Sequence, residues 1–201
     1  MSTGGREPPT VKGSVMQELS LTGAVSALQQ GGIIAYPTEA VWGLGCDPRQ
    51  RGAVARLLAL KRRPQAKGVI VVAASLEPLR PWLDLAALPA ERLAEVLVTW
   101  PGPHTWVLPA SEHAPAWVTG DHPSLAVRIS AHPLVARLCQ AWQAPLVSTS
   151  ANLAGQPPAR KREDLDPALL QAIDGVLDGD TGGLAQPTPI RIALTGEVLR
   201  D

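Results

Sequence analysis

Apolar positions along the chain come in short packets separated by glycine and proline, and the packets switch between two periods. Val69, Ile70, Val71, Val72 and Ala73 form an unbroken apolar run after Gly68, the pattern of a strand buried on both faces. Shorter runs at 33–36, 105–108, 125–129 and 145–148 predict further strands. Stretches 190–194 and 197–200, joined by a Thr195-Gly196 turn, predict a closing hairpin. From about residue 15, helical spacing predicts a helix that runs to Gln30, before Gly31-Gly32. Val54, Leu57, Leu58 and Leu60 predict another, which delivers Lys61 and Arg63 at its C-terminal end and cannot continue past Pro64. Three more are predicted: 89–99, 133–142 opened by Pro133, and one starting at Asp166-Pro167. Residues 1–14 read as a loose tail, and 15–201 as one α/β (α+β) domain around a mixed sheet.

Composition narrows the class. The chain has 201 residues, 45% hydrophobic and 18% charged, so an ordinary core can be buried. Eighteen basic and 18 acidic side chains cancel, which excludes a globally basic nucleic-acid coat. The charges are segregated, however. Arg49, Arg51, Arg56, Lys61, Arg62, Arg63 and Lys67 stand in 49–67 without an acid, and Glu163, Asp164, Asp166, Asp174, Asp178 and Asp180 stand in 163–180 without a base. The basic run reads either as a solvated helix face or as a local field for phosphates. The N-terminus lacks an apolar segment of signal-peptide type, and no apolar run approaches the ~20 residues that span a bilayer. The expected location is the cytoplasm, with no membrane partner. Cys46 and Cys139 lack metal or disulfide spacing and read as buried thiols.

Candidate chemistry gathers in three loops, 37–45, 61–67 and 148–152, which an open α/β sheet is expected to bring together. Neither a Walker A sequence nor G-x-G-x-x-G is present. What remains is Lys61, Arg63 and Lys67 beside the hydroxyls and amides of Thr38, Ser148, Thr149, Ser150 and Asn152, a set suited to a polyphosphate or carboxylate. Arg128, inside the apolar strand 125–129, must be paired or solvent-bound, either as a structural ion pair or as a buried anion receptor. His104, His113, His122 and His132 have no ligand-like spacing, and no metal site is expected. Ser148 and Ser150 lack a G-x-S-x-G elbow. Aromatics make up 3% of the chain, with no Phe and Tyr36 the single Tyr, which argues against a stacking platform for single-stranded RNA.

Several motifs occur in an order that resembles the YrdC-like family, nearest its short bacterial members, over about residues 15 to 201. They are Tyr36-Pro37-Thr38-Glu39-Ala40-Val41-Trp42-Gly43-Leu44-Gly45-Cys46, Leu60-Lys61-Arg62-Arg63-Pro64, Trp100-Pro101-Gly102-Pro103-His104-Thr105, Leu125-Ala126-Val127-Arg128 and Ser148-Thr149-Ser150-Ala151-Asn152-Leu153, followed by Leu194-Thr195-Gly196-Glu197. The resemblance implies a twisted mixed sheet with a deep, positively charged cleft. It implies a nucleotidyltransferase that joins L-threonine, bicarbonate and ATP into threonylcarbamoyl-adenylate, releases pyrophosphate, and feeds tRNA modification next to the anticodon with other proteins of that pathway. The K-x-R…S-x-N signature falls on Lys61, Arg63, Ser150 and Asn152 as catalytic positions. Lys67, Ser124 and Arg200 join those four on ATP, while Thr38, Arg128, Ser148 and Thr188 match the threonine pocket. Mg²⁺ is expected on the nucleotide's phosphates, held by the nucleotide rather than by a protein cage. Two positions depart from the family pattern: Ala40 replaces a hydroxyl residue of the threonine pocket, and Val72 a histidine of longer relatives. The alternative is a non-catalytic module that binds double-stranded RNA by shape, for instance in ribosome maturation, or that touches tRNA directly.

Overall fold

Residues 70–73 form a strand with neighbours on both sides, as their unbroken apolar run predicts. The computed structural model describes residues 17–200, so the tail expected over 1–14 lies outside the described residues. The strands are β1 (Glu18–Leu19), β2 (Ile34–Pro37), β3 (Trp42–Gly45), β4 (Ile70–Ala73), β5 (Thr105–Pro109), β6 (Ser124–Ile129), β7 (Leu146–Ser150), β8 (Gly175–Leu177), β9 (Ile190–Ile192) and β10 (Val198–Arg200). They join in one 10-stranded, twisted, open mixed sheet of order β1-β8-β2-β3-β7-β4-β6-β5-β9-β10. Six α-helices among the described residues accompany it: α1 (Leu21–Gln29), α2 (Arg51–Leu60), α3 (Ala90–Val98), α4 (Ala116–Thr119), α5 (Pro133–Trp142) and α6 (Pro167–Ala172). The result is the expected α/β domain.

Strand alternation sorts the core into two layers. Ile33, Ala35, Val71, Ala73, Val127, Val147 and Val176 pack on one side with α2 and α6. Ile34, Tyr36, Val72, Leu146 and Leu177 pack on the other with α1 and α5. Local signals set the helix ends. The Ser20 hydroxyl accepts the Gly23 N–H (3.1 Å) at the start of α1, and Asp166 accepts the Ala168 N–H (2.7 Å) at the start of α6, where Pro167 supplies the preset φ. Pro133 opens α5 as predicted.

Three expectations are corrected. The helix ending before Gly31 starts only at Leu21, because Glu18 and Leu19 pair in parallel with Val176 and Leu177 of β8, a three-residue strand too short for its apolar pattern to register. The segment 37–45 is not a loop: β2 and β3 form an antiparallel hairpin, with Thr38 N–H bonded to the Val41 carbonyl (3.1 Å) across the turn. Thr149 and Ser150 are not in a loop: they extend the strand expected over 145–148 and lie within β7, where Gly43 pairs with Ser150 and Leu44 with Thr149. Ser148, Thr149 and Ser150 border open space rather than core.

Two glycines shape the wall beyond β4. The 3-10 turn Gln65–Lys67 rests against the end of α4: Asp121 N–H donates to the Ala66 carbonyl (3.0 Å) and Val69 N–H to that of Val118 (2.9 Å). A Cβ on Gly120 (φ +65°) would stand 2.4 Å from the Ala66 oxygen, and one on Gly68 (φ +59°) 2.6 Å from the Thr119 oxygen. Both positions combine the left-handed backbone with main-chain contact, so a side chain has nowhere to go. Gly120→Ala is expected to lower unfolding free energy by at least about 1–3 kcal/mol, measured by urea denaturation, whereas Gly52→Ala, on a helix with nothing within 4 Å, should be neutral or stabilising.

Candidate functional site

The face of the sheet that α1 and α5 cover over β2 and β8 continues uncovered toward β9, and there it floors a cavity of about 570 Å³. Register aligns a row across five strands: Ser148 opposite Ile70, Ile70 opposite Ala126, Ala126 opposite Val107, Val107 opposite Ile192. All five line the cavity. In β6, Ser124, Ala126 and Arg128 share this face, while Leu125, Val127 and Ile129 enter the core. An arginine is therefore tolerated in an apolar strand because its row faces the cavity.

Of the positions singled out in the sequence, Thr38, Arg63, Lys67, Ser124, Arg128, Ser148, Ser150, Thr188 and Arg200 line this one space. Among the described residues Arg63, Lys67, Arg128 and Arg200 are its cationic side chains, and no carboxylate lines it. Arg63 folds back on its own turn, donating from Nε (3.1 Å) and Nη2 (3.0 Å) to the Gly68 carbonyl. Arg128 is 5% exposed. It donates from Nη1 to Thr188 Oγ1 (2.8 Å), its Nε has no partner, and Glu39 Oε2 lies 3.6 Å from Nη2. Arg200 donates to the Thr188 carbonyl from Nε (3.2 Å) and Nη2 (2.7 Å), and burial together with repulsion from Arg128 lowers its pKa. Arg128 thus combines both readings open in the sequence: it has an ion-pair partner, and it keeps donors unused at a cavity wall.

Lys61 and Asn152 are brought together but do not line the cavity. Lys61, just past the end of α2, donates from Nζ to the carbonyls of Ser150 (2.7 Å) and Asn152 and to Asn152 Oδ1 (2.9 Å). Those bonds use all three ammonium donors. Asn152 Oδ1 also accepts from Ser150 Oγ, and its Nδ2 donates to the Gln156 carbonyl (2.6 Å). In this structure Lys61 is a clamp that closes the turn after β7 and fixes Ser150.

The basic run is also not one field. Arg56 pairs with Asp174 of the acidic run, and Arg49 pairs with Asp47 (2.9 Å) and lies 5.0 Å over the Trp142 ring. From that run Arg63 and Lys67 reach the cavity, and Arg128 and Arg200 come from neither run. Burial pushes the Cys46 and Cys139 thiols up to about 12, so neither offers a thiolate at neutral pH. Ala40 is buried on the cavity wall, and Val72 belongs to the α1/α5 core layer.

Sequence reading missed Glu39, buried behind the hairpin turn, and His122, on the cavity wall. It also missed the segment 178–189, which carries Thr188 over the site. That segment is tied down by Gly182 N–H to the Thr38 carbonyl (2.9 Å) and Leu184 N–H to that of Glu39 (3.1 Å). The alternation Ser124-x-Ala126-x-Arg128 was a usable signal for the cavity face, but nothing local marks 178–189.

Comparison with known proteins places these features in context. A family model named for Sua5, YciO and YrdC, described as telomere recombination, matches residues 26–201. A curated protein of Xanthomonas campestris pv. campestris (strain B100), threonylcarbamoyl-AMP synthase, is 71% identical over 181 residues, 90% of this chain and 97% of that one. The structure of P. abyssi Sua5 complexed with L-threonine superposes with a TM-score of 0.76 at 28% identity, covering 88% of this chain and 52% of that longer one. E. coli YciO shares the fold, with a TM-score of 0.74 at 22% identity over 90% of each chain.

The clamp has a pH consequence. Burial, and then repulsion by Arg63, lowers Lys61 from 10.5 to about 8. Between those values the folded protein binds fewer protons than the unfolded chain, so the cost of burying the charge weighs on stability below about pH 8 and is relieved above it. The same linkage applies to local opening of the clamp, which returns Lys61 to water and to its ordinary value. Amide exchange of residues 152–156, corrected for its intrinsic pH dependence, is expected to slow as pH rises from about 8 toward 10.5. In Lys61→Met that pH dependence should be absent.

Proposed function

Because the chain belongs to the Sua5/YciO/YrdC family, we propose that its cavity forms threonylcarbamoyl-AMP from L-threonine, bicarbonate and ATP, as a nucleotidyltransferase. The observation that carries this reading is the union, in one cavity, of a buried guanidinium with free donors and the cations Arg63, Lys67 and Arg200. The 71% identical relative has the same activity in its name. In the reaction the threonine nitrogen bonds to the carbon of bicarbonate with loss of water. A carbamate oxygen then bonds to the α-phosphorus as the bond to pyrophosphate breaks. Two anions must meet, and cations in a site of restricted water lower that cost, while positioning supplies the remainder.

Arg128 would receive the threonine carboxylate, with Thr38, Ser148 and Thr188 around the side chain. Arg63, Lys67, Ser124, Ser150 and Arg200 would hold the nucleotide, and Lys61 and Asn152 would keep Ser150 in place. The carbamate serves as nucleophile without a protein base. Mg²⁺ would accompany the nucleotide's phosphates, held by the nucleotide rather than by a protein cage, and no step here runs through it. No helix among the described residues is long and apolar enough to cross a membrane. A cytoplasmic enzyme that passes the adenylate to the other proteins of tRNA threonylcarbamoylation fits this chemistry. A duplex-RNA surface would draw on exposed cations, whereas Arg128 is buried.

Pyrophosphate release from ATP is expected to require both threonine and bicarbonate. Release that is unchanged when threonine is omitted would end this reading. Arg63→Ala is expected to lose at least ~10²-fold in kcat with an unchanged melting transition, and normal turnover would show the site assignment to be wrong.

A further inference from the structure

The cavity's cations differ in one respect: Arg128 has a carboxylate beside it. Among the described residues no acid comes within 4.0 Å of Arg63, Lys67 or Arg200, while Glu39 Oε2 stands 3.6 Å from Arg128 Nη2. The side chains of that pair are 6% and 8% exposed, so their charges act through protein rather than bulk water. Glu39 does not line the cavity; it faces the guanidinium from behind.

Its placement is specific. Ser130 Oγ donates to Glu39 Oε1 (2.6 Å) and itself accepts the His132 N–H (3.2 Å). The Glu39 carbonyl accepts the Leu184 N–H. Oε1 is therefore bonded, and Oε2 has no hydrogen-bond partner and is left with the Arg128 charge.

Arg128 needs such a counter-charge because of its neighbours. Arg128 and Arg200 both bond Thr188, one at the hydroxyl and one at the carbonyl. Both arginines line the cavity and share Thr188, so a polyanion drawn to Arg200 would also come within reach of Arg128. Arg128 with Glu39 sums to zero charge, which suits a zwitterion of zero net charge. Arg63, Lys67 and Arg200, without such a partner among the described residues, keep their positive charge for phosphates.

We propose that Glu39 is a positioning residue that sets substrate specificity. As the built-in counter-ion of Arg128 it reserves that guanidinium for the carboxylate of the amino acid and denies it to the phosphates of nucleotide or pyrophosphate. This rests on the threonine and ATP reading above.

The test is calorimetric titration of L-threonine into the full chain and into Glu39→Gln, each with and without saturating inorganic pyrophosphate. The amide keeps the acceptor for Ser130 and removes the charge. Pyrophosphate is expected to change threonine affinity less than about twofold in the unmodified protein and to weaken it at least about tenfold in Glu39→Gln. Equal behaviour of the two proteins overturns the proposal. Glu39→Asp, which keeps the charge, should restore the unmodified pattern; competition equal to that of Gln would show that charge is not the cause. Where Glu39→Gln fails to melt cooperatively, Ser130→Ala carries the test, because it frees the carboxylate without neutralising it. That variant should show part of the pyrophosphate effect, and none overturns the proposal. Failure of the unmodified protein to bind threonine or to turn it over would instead remove the functional reading itself.

Discussion

Everything at this site depends on a strip of β-sheet face that α1 and α5 leave uncovered. Sheets in α/β domains bury both faces, and here α1 and α5 do so over β2, β8 and the end of β4. Past that point the row Ser148, Ile70, Ala126, Val107 and Ile192 is walled by the hairpin turn after β2, the turn after α2, the end of the short helix α4 and the segment 178–189. Those coverings offer backbone groups and polar side chains. The floor is apolar and rigid, and the walls are polar and come from segments far apart in the chain. A ligand with an apolar base and anionic ends meets both.

Charge is the second constraint. A chain of zero net charge gathers Arg63, Lys67, Arg128 and Arg200 around one space because its acids are engaged elsewhere. Asp47 holds Arg49, Asp174 holds Arg56, and Glu18 and Asp178 both hold Arg162. Glu39 is the exception, an acid kept next to a site cation. Buried pairs of that kind add little net stability, since desolvation offsets attraction, so its value here lies in selectivity.

Thr188 shows how closely the covering segment and the site are joined. Its hydroxyl meets Arg128 and its carbonyl meets Arg200, so the two side chains that would bind different substrates share one residue of 178–189. Ligand groups that engage those arginines compete with the bonds holding the segment. The segment has no strand ladder and is held by the side chains beneath it together with the main-chain bonds from Gly182 and Leu184 to the hairpin turn.

Much of this was legible in the chain itself. The run Val69 to Ala73 named a central strand, Pro133 and Asp166-Pro167 named helix starts, and the motifs carrying Lys61, Arg63, Ser150 and Asn152 named the region of the site, because each depends on local periodicity, fixed φ or residue chemistry. Local pattern could not reveal β1 and β8, which exist only as each other's partners and β2's. It also could not show that Lys61 turns away from the cavity to clamp Asn152, nor that Arg56 spends its charge on Asp174. Above all it left Arg128 undecided between ion pair and receptor. That choice depends on which way a strand faces and on what a turn 89 positions earlier, at Glu39, places behind it. Periodicity fixes the face of a strand, but only packing decides what waits on each side.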